Sequence, residues 1–312
     1  MIMSLNQSVL ICDQVNPILK EILEKNGLKV NYEPEITPEQ LAEKIGNYEV
    51  VVVRSRTKIV KELVEKADKC QIIARVGIGL DNIDQDSAKA KNIKVINAVE
   101  GAITAVAELV VGLMLSMARE IPRADREIRN GNWIKKELMG SELKGKYLGI
   151  VGLGNIGKRL GRIARALNMN IIGYDVVPID EGFSKEVGLM KADLDTLLSS
   201  SDYVSLHVPL LDSTKHMINT EKLKTMKKTA RIINTSRGGV IDEDALYNAL
   251  KAGNLAGAAL DVFEAEPATG NNLTSLPNFI STPHMGAQTK EAQSLAANVI
   301  AEKIIQVLRG VI

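Results

Sequence analysis

The sequence is poor in the residues that staple a protein or commit it to a metal. Its 312 residues include two cysteines, three histidines, one tryptophan and three phenylalanines. Cys12 and Cys70 lie in or beside apolar strand-like runs. They read as buried thiols of a reducing compartment rather than a disulfide or a metal pair. With only His207, His216 and His284 available, no metal site is expected. An excess of one charge is missing too. The 39 Lys+Arg against 38 Asp+Glu leave +1, which gives no basic footprint for nucleic acid. No apolar run approaches the ~20 residues of a bilayer span. Cys12 and Asp13 interrupt the first apolar run, so no signal peptide is read. These absences point to a cytoplasmic protein without nucleic-acid or membrane partners, and the length suits two domains.

What is present begins at Lys146. The apolar run Tyr147 to Val151 has strand length and β-branched content. Gly152, Leu153, Gly154, Asn155, Ile156 and Gly157 then spell G-x-G-x-x-G. A helical pattern follows, with Leu160, Ile163, Ala164 and Leu167 on one face, and a second run, Ile171 to Tyr174, ends in Asp175. Gly152 permits the tight turn, Gly154 lets backbone approach a diphosphate, and Gly157 lets the helix pack on the strand. The helix N-terminus offers open N–H groups and partial positive charge. Asp175 stands where a carboxylate accepts from a ribose 2′-hydroxyl and repels a 2′-phosphate. The cofactor expected is therefore NAD.

The first ~97 residues read as strand–helix repeats: strands at 8–11, 28–32, 49–53, 71–74 and 94–96, helices at 18–26 and 60–67. Thr37, Pro38 and Gln40 carry a capping box with proline at the first helical position. The segment 104–119 is apolar nearly all round and reads as a buried helix. Residues 120–133 read as a charged helix ending at Trp133, an aromatic suited to an interface or a site edge. Beyond the fingerprint, strands are expected at 203–206, 231–234, 257–260 and 279–281. Helices are expected at 194–198, 220–224, 242–252 (with Asp242 as cap) and 290–308. Such alternation predicts α/β architecture with parallel sheets covered on both faces.

Chemically useful residues fall just after strands: Arg54, Arg75, Asp175, His207, Arg237, Asp261 and His284. Ligands of open α/β sheets bind at the carboxyl ends of strands, so these residues are expected along one crevice between two lobes. His284 is the best acid/base candidate, because imidazole titrates near working pH. Arg237, between Ser236 and a glycine pair, can bind a carboxylate by two parallel hydrogen bonds. Glu266 can orient His284. Each has a plainer reading: a loop histidine, an arginine pairing with Asp242 or Glu243, an acidic turn before Pro267. His207 reads as cofactor wall and His216 as a solvated loop residue.

Together these residues resemble the D-2-hydroxyacid dehydrogenase family over nearly the whole chain. The resemblance rests on G-L-G-N-I-G, the segment 234–239, Asp261-Val262-Phe263 with Glu266-Pro267, and Thr282-Pro283-His284-Met285-Gly286-Ala287. Residues 75–84, 131–133, 139–143 and 288–293 resemble most those members that act on a phosphorylated 2-hydroxy acid. The resemblance implies a Rossmann NAD-binding domain, 99–285, inserted in a flavodoxin-like substrate-binding domain of 1–98 and 286–312. It implies a catalytic group of Arg237, Glu266 and His284. Besides the fingerprint residues and Asp175, it places His207, Val208, Pro209, Thr214, Thr235, Ser236, Asp261 and Gly286 on the cofactor, with Asp261 bonding the nicotinamide carboxamide. It places Arg54 and Arg75 on the substrate phosphate, and the backbone N–H groups of Val76 and Gly77 on its carboxylate. A homodimer through the region after Thr104 is also implied, and, the chain ending at Ile312, no C-terminal regulatory domain. Segment 100–105 departs from the family by its thin Ser/Thr/Asn content. Two rivals are a glyoxylate or hydroxypyruvate reductase of the same family, and an NADH-sensing co-regulator on the same scaffold.

Overall fold

The computed structural model describes residues 5–312. The chain divides into two compact units, Met1–Ile103 with Ala287–Ile312, and Thr104–Gly286. The second unit is thus inserted, along the chain, within the first.

In the first unit, β1 (Ser8–Ile11), α1 (Ile18–Lys25), β2 (Lys29–Tyr32), α2 (Pro38–Lys44), β3 (Val50–Val53), α3 (Lys61–Lys66), β4 (Ile72–Arg75), α4 (Gln85–Ala90) and β5 (Lys94–Asn97) alternate. The strands pair in parallel in the order β2-β1-β3-β4-β5. β3 shows why the sheet is covered twice. All four of its valines are buried: Val50 and Val52 enter one core with Leu19, Leu23 and Ile300, while Val51 and Val53 enter another with Leu41, Ile59 and Val64. Successive strand side chains point to opposite faces, so an unbroken valine run needs an apolar partner on each. Thr37 and Gln40 form the expected capping box at α2.

In the second unit, α5 (Ile103–Arg119) and α6 (Ile121–Arg129) lead into β6 (Tyr147–Val151), α7 (Asn155–Ala166), β7 (Asn170–Tyr174), α8 (Glu181–Val187), β8 (Met190–Lys191), α9 (Leu194–Ser200), β9 (Tyr203–Leu206), α10 (Thr220–Thr225), β10 (Arg231–Asn234), α11 (Glu243–Lys251), β11 (Gly257–Leu260) and β12 (Phe279–Ser281). The seven strands are parallel, in the order β12-β11-β10-β9-β6-β7-β8. On β10, Ile232 and Ile233 enter cores on opposite faces. The fold is therefore α/β with two doubly wound parallel sheets. α12 (Lys290–Leu308) returns to the first unit, where Ala297, Ile300, Ala301 and Ile304 are wholly buried.

Two expectations are corrected. The charged helix stops at Arg129 instead of reaching Trp133, because Gly131 takes a left-handed φ of 80°, which suits the end of a helix. Together with the short turn before it, the apolar helix spans Val99–Arg119, 21 residues, long and apolar enough by composition to cross a bilayer, contrary to the run length read from the sequence. Ala107, Val110, Leu113 and Met114 on α5 pack into the core that holds β6 and α7, so that face is occupied by protein.

Candidate active site and cofactor cradle

The glycines of the 152–157 loop divide their tasks as geometry requires. Gly152 has φ 92°, and a Cβ there would sit 2.7 Å from the His207 carbonyl oxygen. A Cβ on Gly157 would lie 2.2 Å from the carbonyl oxygen of Gly152, so α7 packs on its own loop only without one. Gly154 differs: an added Cβ meets nothing within 4 Å. No packing within the protein demands glycine there, which leaves room for a ligand against bare backbone. Gly154 caps α7 with no side-chain hydrogen bond, so the first N–H groups of Asn155, Ile156 and Gly157 remain open for an anion.

Asp175, at the end of β7, accepts from Leu153 N at 2.7 Å and Val177 N at 3.1 Å. Its carboxylate thus ties the glycine loop to β7 and borders a cleft of about 500 Å³ lined also by Val177, Pro178, Ile179 and Ala192. The cation at that cleft, Lys191, is paired with Glu181. A carboxylate at the rim and no unpaired lysine suit a ribose hydroxyl better than a phosphate. The Thr235 hydroxyl is buried without a hydrogen-bond partner, a polar atom that a bound cofactor would satisfy. His207 bonds Ser205 Oγ through Nε2 at 2.9 Å, and burial pushes its pKa down to about 4. It is a neutral imidazole at pH 7, as a cofactor wall requires. Thr214 Oγ1 donates to Pro209 O at 2.6 Å and accepts from Leu211 N at 2.8 Å, shaping the 208–214 turn. These residues fit NAD.

The candidate acid/base follows β12. His284 holds a left-handed φ of 51°, uncommon for a residue with a side chain. Its Nδ1 lies 2.8 Å from Glu266 Oε2. Glu266 Oε1 accepts from Phe263 N at 3.1 Å, so one carboxylate oxygen is fixed to backbone while the other holds the imidazole. Asp261, 1% exposed, builds the His284 turn: it accepts from Thr282 Oγ1 at 2.6 Å and from Met285 N and Gly286 N at 2.8 Å each. A carboxylate offers about four acceptor positions, so about one remains for a carboxamide. Gly286 is close to this carboxylate, since a Cβ there would lie 3.1 Å from Asp261 Oδ2. Arg237 is set by β10. Asn234 Nδ2 donates to Arg237 O at 2.8 Å, Ser236 N and Oγ donate to Asn234 Oδ1, and Arg237 Nη1 donates to Ser236 O at 2.6 Å. Asp242 is engaged in capping α11 through Ala245 N.

In the first unit the strand ends hold the candidate substrate residues. Val76 N donates to Val53 O and Gly77 N to Arg75 O, both at 2.9 Å. The two N–H groups expected on a substrate carboxylate thus have partners within the chain, Val76 N–H in the sheet and Gly77 N–H on the Arg75 carbonyl. The Arg75 guanidinium folds over Gly77, where a Cβ would meet its Nη1 at 2.7 Å. Arg54 and Arg56 differ sharply. Arg56 is bound to Asp13 Oδ1, Ile36 O, Cys12 O and Pro34 O. The half-buried Arg54 guanidinium makes no hydrogen bond or ion pair among the described residues. Burial lowers its pKa, partly offset by the charge of Asp13. A desolvated cation of this kind gains from an arriving anion.

Sequence reasoning missed Asp13. Only 2% exposed, it accepts from Arg54 N, Arg56 Nε (3.1 Å), Thr57 N (3.3 Å) and Thr57 Oγ1 (2.7 Å). Asn82 Nδ2 adds bonds to Arg54 O and Thr57 O. Asp13 follows β1, so the strand-end rule that selected Arg54 would have selected it. His216 keeps the exposure expected of a loop residue, but its Nε2 also lies 3.0 Å from Glu264 Oε1, a partner that the sequence did not disclose.

Comparison with known proteins adds the following. Residues 111–286 match the sequence profile of the family described as "D-isomer specific 2-hydroxyacid dehydrogenase, NAD binding domain". A D-3-phosphoglycerate dehydrogenase of Methanocaldococcus jannaschii is 46% identical over 97% of this chain and 57% of its own length. A hydroxypyruvate reductase of Thermotoga maritima is 45% identical over 94% of this chain and 96% of its own. The chain thus spans little more than half the length of the phosphoglycerate dehydrogenases it matches. Among solved structures, D-lactate dehydrogenase from Aquifex aeolicus, complexed with NAD and lactic acid, superposes with a TM-score of 0.85, 29% identity and coverage of 97% and 96% of the two chains.

Proposed function

Because the chain belongs to the D-isomer-specific 2-hydroxyacid dehydrogenases, NAD-dependent oxidoreductases of small 2-hydroxy acids, we propose that its substrate is 3-phospho-D-glycerate, oxidised to 3-phosphooxypyruvate at the opening of phosphorylated serine synthesis. Bound NAD supplies the hydride acceptor. With Nδ1 held by Glu266, His284 has Nε2 left to take the C2 hydroxyl proton, and in reduction the same nitrogen returns it. Arg237 grips the carboxylate and polarises the C2 oxygen. Glu266 orients the imidazole through Nδ1. The phosphoryl group falls to Arg54 and Arg75.

The observation that carries the phosphorylated substrate is the Arg54 guanidinium, which makes no hydrogen bond or ion pair among the described residues, beside that of Arg56, which donates four hydrogen bonds. An uncharged hydroxymethyl tail needs no such cation. The second reading, hydroxypyruvate reduction, is favoured by the reductase relative that this chain matches along nearly all of its length. Steady-state reduction with NADH separates the two. Higher kcat/KM with 3-phosphooxypyruvate than with hydroxypyruvate supports the first, and the reverse order transfers the assignment to the second. We further propose a homodimer through the segment around α6, where Ile121, Ile128, Trp133 and Met139 are exposed. A monomer by light scattering would contradict it.

A further inference from the structure

Behind Arg237 and Glu266 lies a set of side chains that neither the family nor the reaction accounts for. Glu264 stands two residues before Glu266. Its Oε1 lies 3.0 Å from His216 Nε2 and accepts from Glu243 N at 3.3 Å. In return, Glu264 N donates to Glu243 Oε1 at 2.6 Å, and Asn271 Nδ2 donates to Glu243 Oε2 at 2.6 Å. His216 also uses its backbone, donating from N to Gly239 O at 2.7 Å. One residue of the 208–219 loop therefore holds two others at once: the Arg237 loop through Gly239, and the Glu266 loop through Glu264.

Two further observations show that this contact is built. His216 has φ 49°, a strained backbone for a side-chain-bearing residue that persists only where surroundings impose it. Gly238 is pressed on the same place: a Cβ there would lie 1.8 Å from Phe263 O and 2.7 Å from Glu264 N. The 263–264 backbone therefore lies directly against the residue beside Arg237. The pair itself is far from buried, with side-chain exposures of 38% and 40%. Polar contacts this exposed add little to stability, so the arrangement acts on geometry.

We propose that His216 and Glu264, with Glu243 behind them, form a positioning clamp that fixes the Arg237 loop and the Glu266 loop relative to each other. Neither His216 nor Glu264 is a catalytic residue; they act through Arg237 and Glu266. The proposal rests on the roles given above to those two residues and to His284.

The test compares His216→Ala, Glu264→Ala, their double variant and Glu264→Gln with the parent and with His284→Ala. Turnover is read with whichever of 3-phosphoglycerate and hydroxypyruvate the enzyme uses, so the choice of substrate can fail without affecting the result. Small displacements of reacting groups are costly in rate, and residues acting as one unit lose that cost once. The two alanine variants should each lower kcat roughly 10-fold, with NADH affinity and Tm close to the parent's. The double variant should be no worse than the poorer single. Glu264→Gln should recover most of the rate, because its amide oxygen still accepts from His216 and Glu243 N. Parent-like kcat in both alanine variants, multiplied losses in the double, or a Glu264→Gln enzyme as slow as Glu264→Ala would each overturn the clamp alone. A His284→Ala enzyme of normal turnover would overturn the clamp and the acid/base assignment together.

Discussion

The loops after β1 and after β6 stand at corresponding places, each following the first strand of its own parallel sheet, where the strand order reverses. They are used in opposite ways. After β6 the chain removes side chains: Gly154 has open space around it and α7 begins without a side-chain cap. After β1 the chain adds one: the Asp13 carboxylate fills the turn and accepts four hydrogen bonds from residues 54–57. At α1, Asn16 Oδ1 accepts from Ile18 N. One loop leaves donors open for a diphosphate. The other consumes donors with a carboxylate, and in doing so sets the backbone from which Arg54 projects. The same topology thus yields a cofactor cradle in one unit and a frame for a cationic side chain in the other, according to whether glycine or aspartate follows the strand.

If the second unit carries the chemistry, the largest effect belongs to His284. Replacing it by Ala should lower kcat by roughly 10²–10⁴ while NADH binding persists. A loss of only a few-fold in steady-state assays would move the acid/base role elsewhere. Next comes the open glycine. Gly154→Ala should weaken NADH binding by about 10-fold or more, because the diphosphate needs that bare backbone, yet leave Tm near the parent's, since no protein atom is near the added methyl. Fluorescence titration and a thermal melt check both halves, and a large drop in Tm would show that Gly154 serves packing.

In the first unit, Asp13→Ala leaves several buried donors unsatisfied and should destabilise by roughly 1–3 kcal/mol in urea unfolding, with KM raised for the phosphorylated acid more than for NAD. Equal effects on both KM values would detach Asp13 from Arg54. The smallest effect is a pH dependence. His207 has its pKa depressed from 6.5 to about 4 in the folded chain, so the unfolded chain binds more protons between those values. Its contribution is therefore fully present above about pH 6.5 and lost as pH falls toward 4. A His207→Asn variant should flatten the fall in Tm across that window. An unchanged slope would mean that other groups cause it.

What the sequence disclosed was what neighbours along the chain decide. The Thr37–Gln40 capping box, the Asp242 cap and the strand–glycine–helix–strand–aspartate order around 152–175 are local, and each lies where its residues placed it. α4 was not foreseen because its six residues bury only Ala88 and show no apolar periodicity, although Asp84 caps it through Ser87 N. β8 escaped because it has two residues, both exposed. The shape of the site depended on contacts far apart in sequence. Asp13 meets residues more than 40 positions away, and His216 meets Glu264 at a separation of 48, so neither could be paired by pattern alone. Strand length decides which N–H groups a sheet consumes: β4 runs to Arg75, one residue past the expected end, and Val76 N then bonds β3.

The division of labour between the units is tested most directly by the selectivity ratio, kcat/KM for 3-phosphoglycerate over kcat/KM for glycerate with NAD, in the parent and in the Arg54→Ala/Arg75→Ala double variant. Two charge-assisted contacts to a phosphoryl group predict a ratio of at least roughly 10 in the parent. In the double variant the ratio should collapse toward unity, with glycerate turnover little changed. A ratio near unity in the parent, or one that survives loss of both guanidinium groups, would contradict the account.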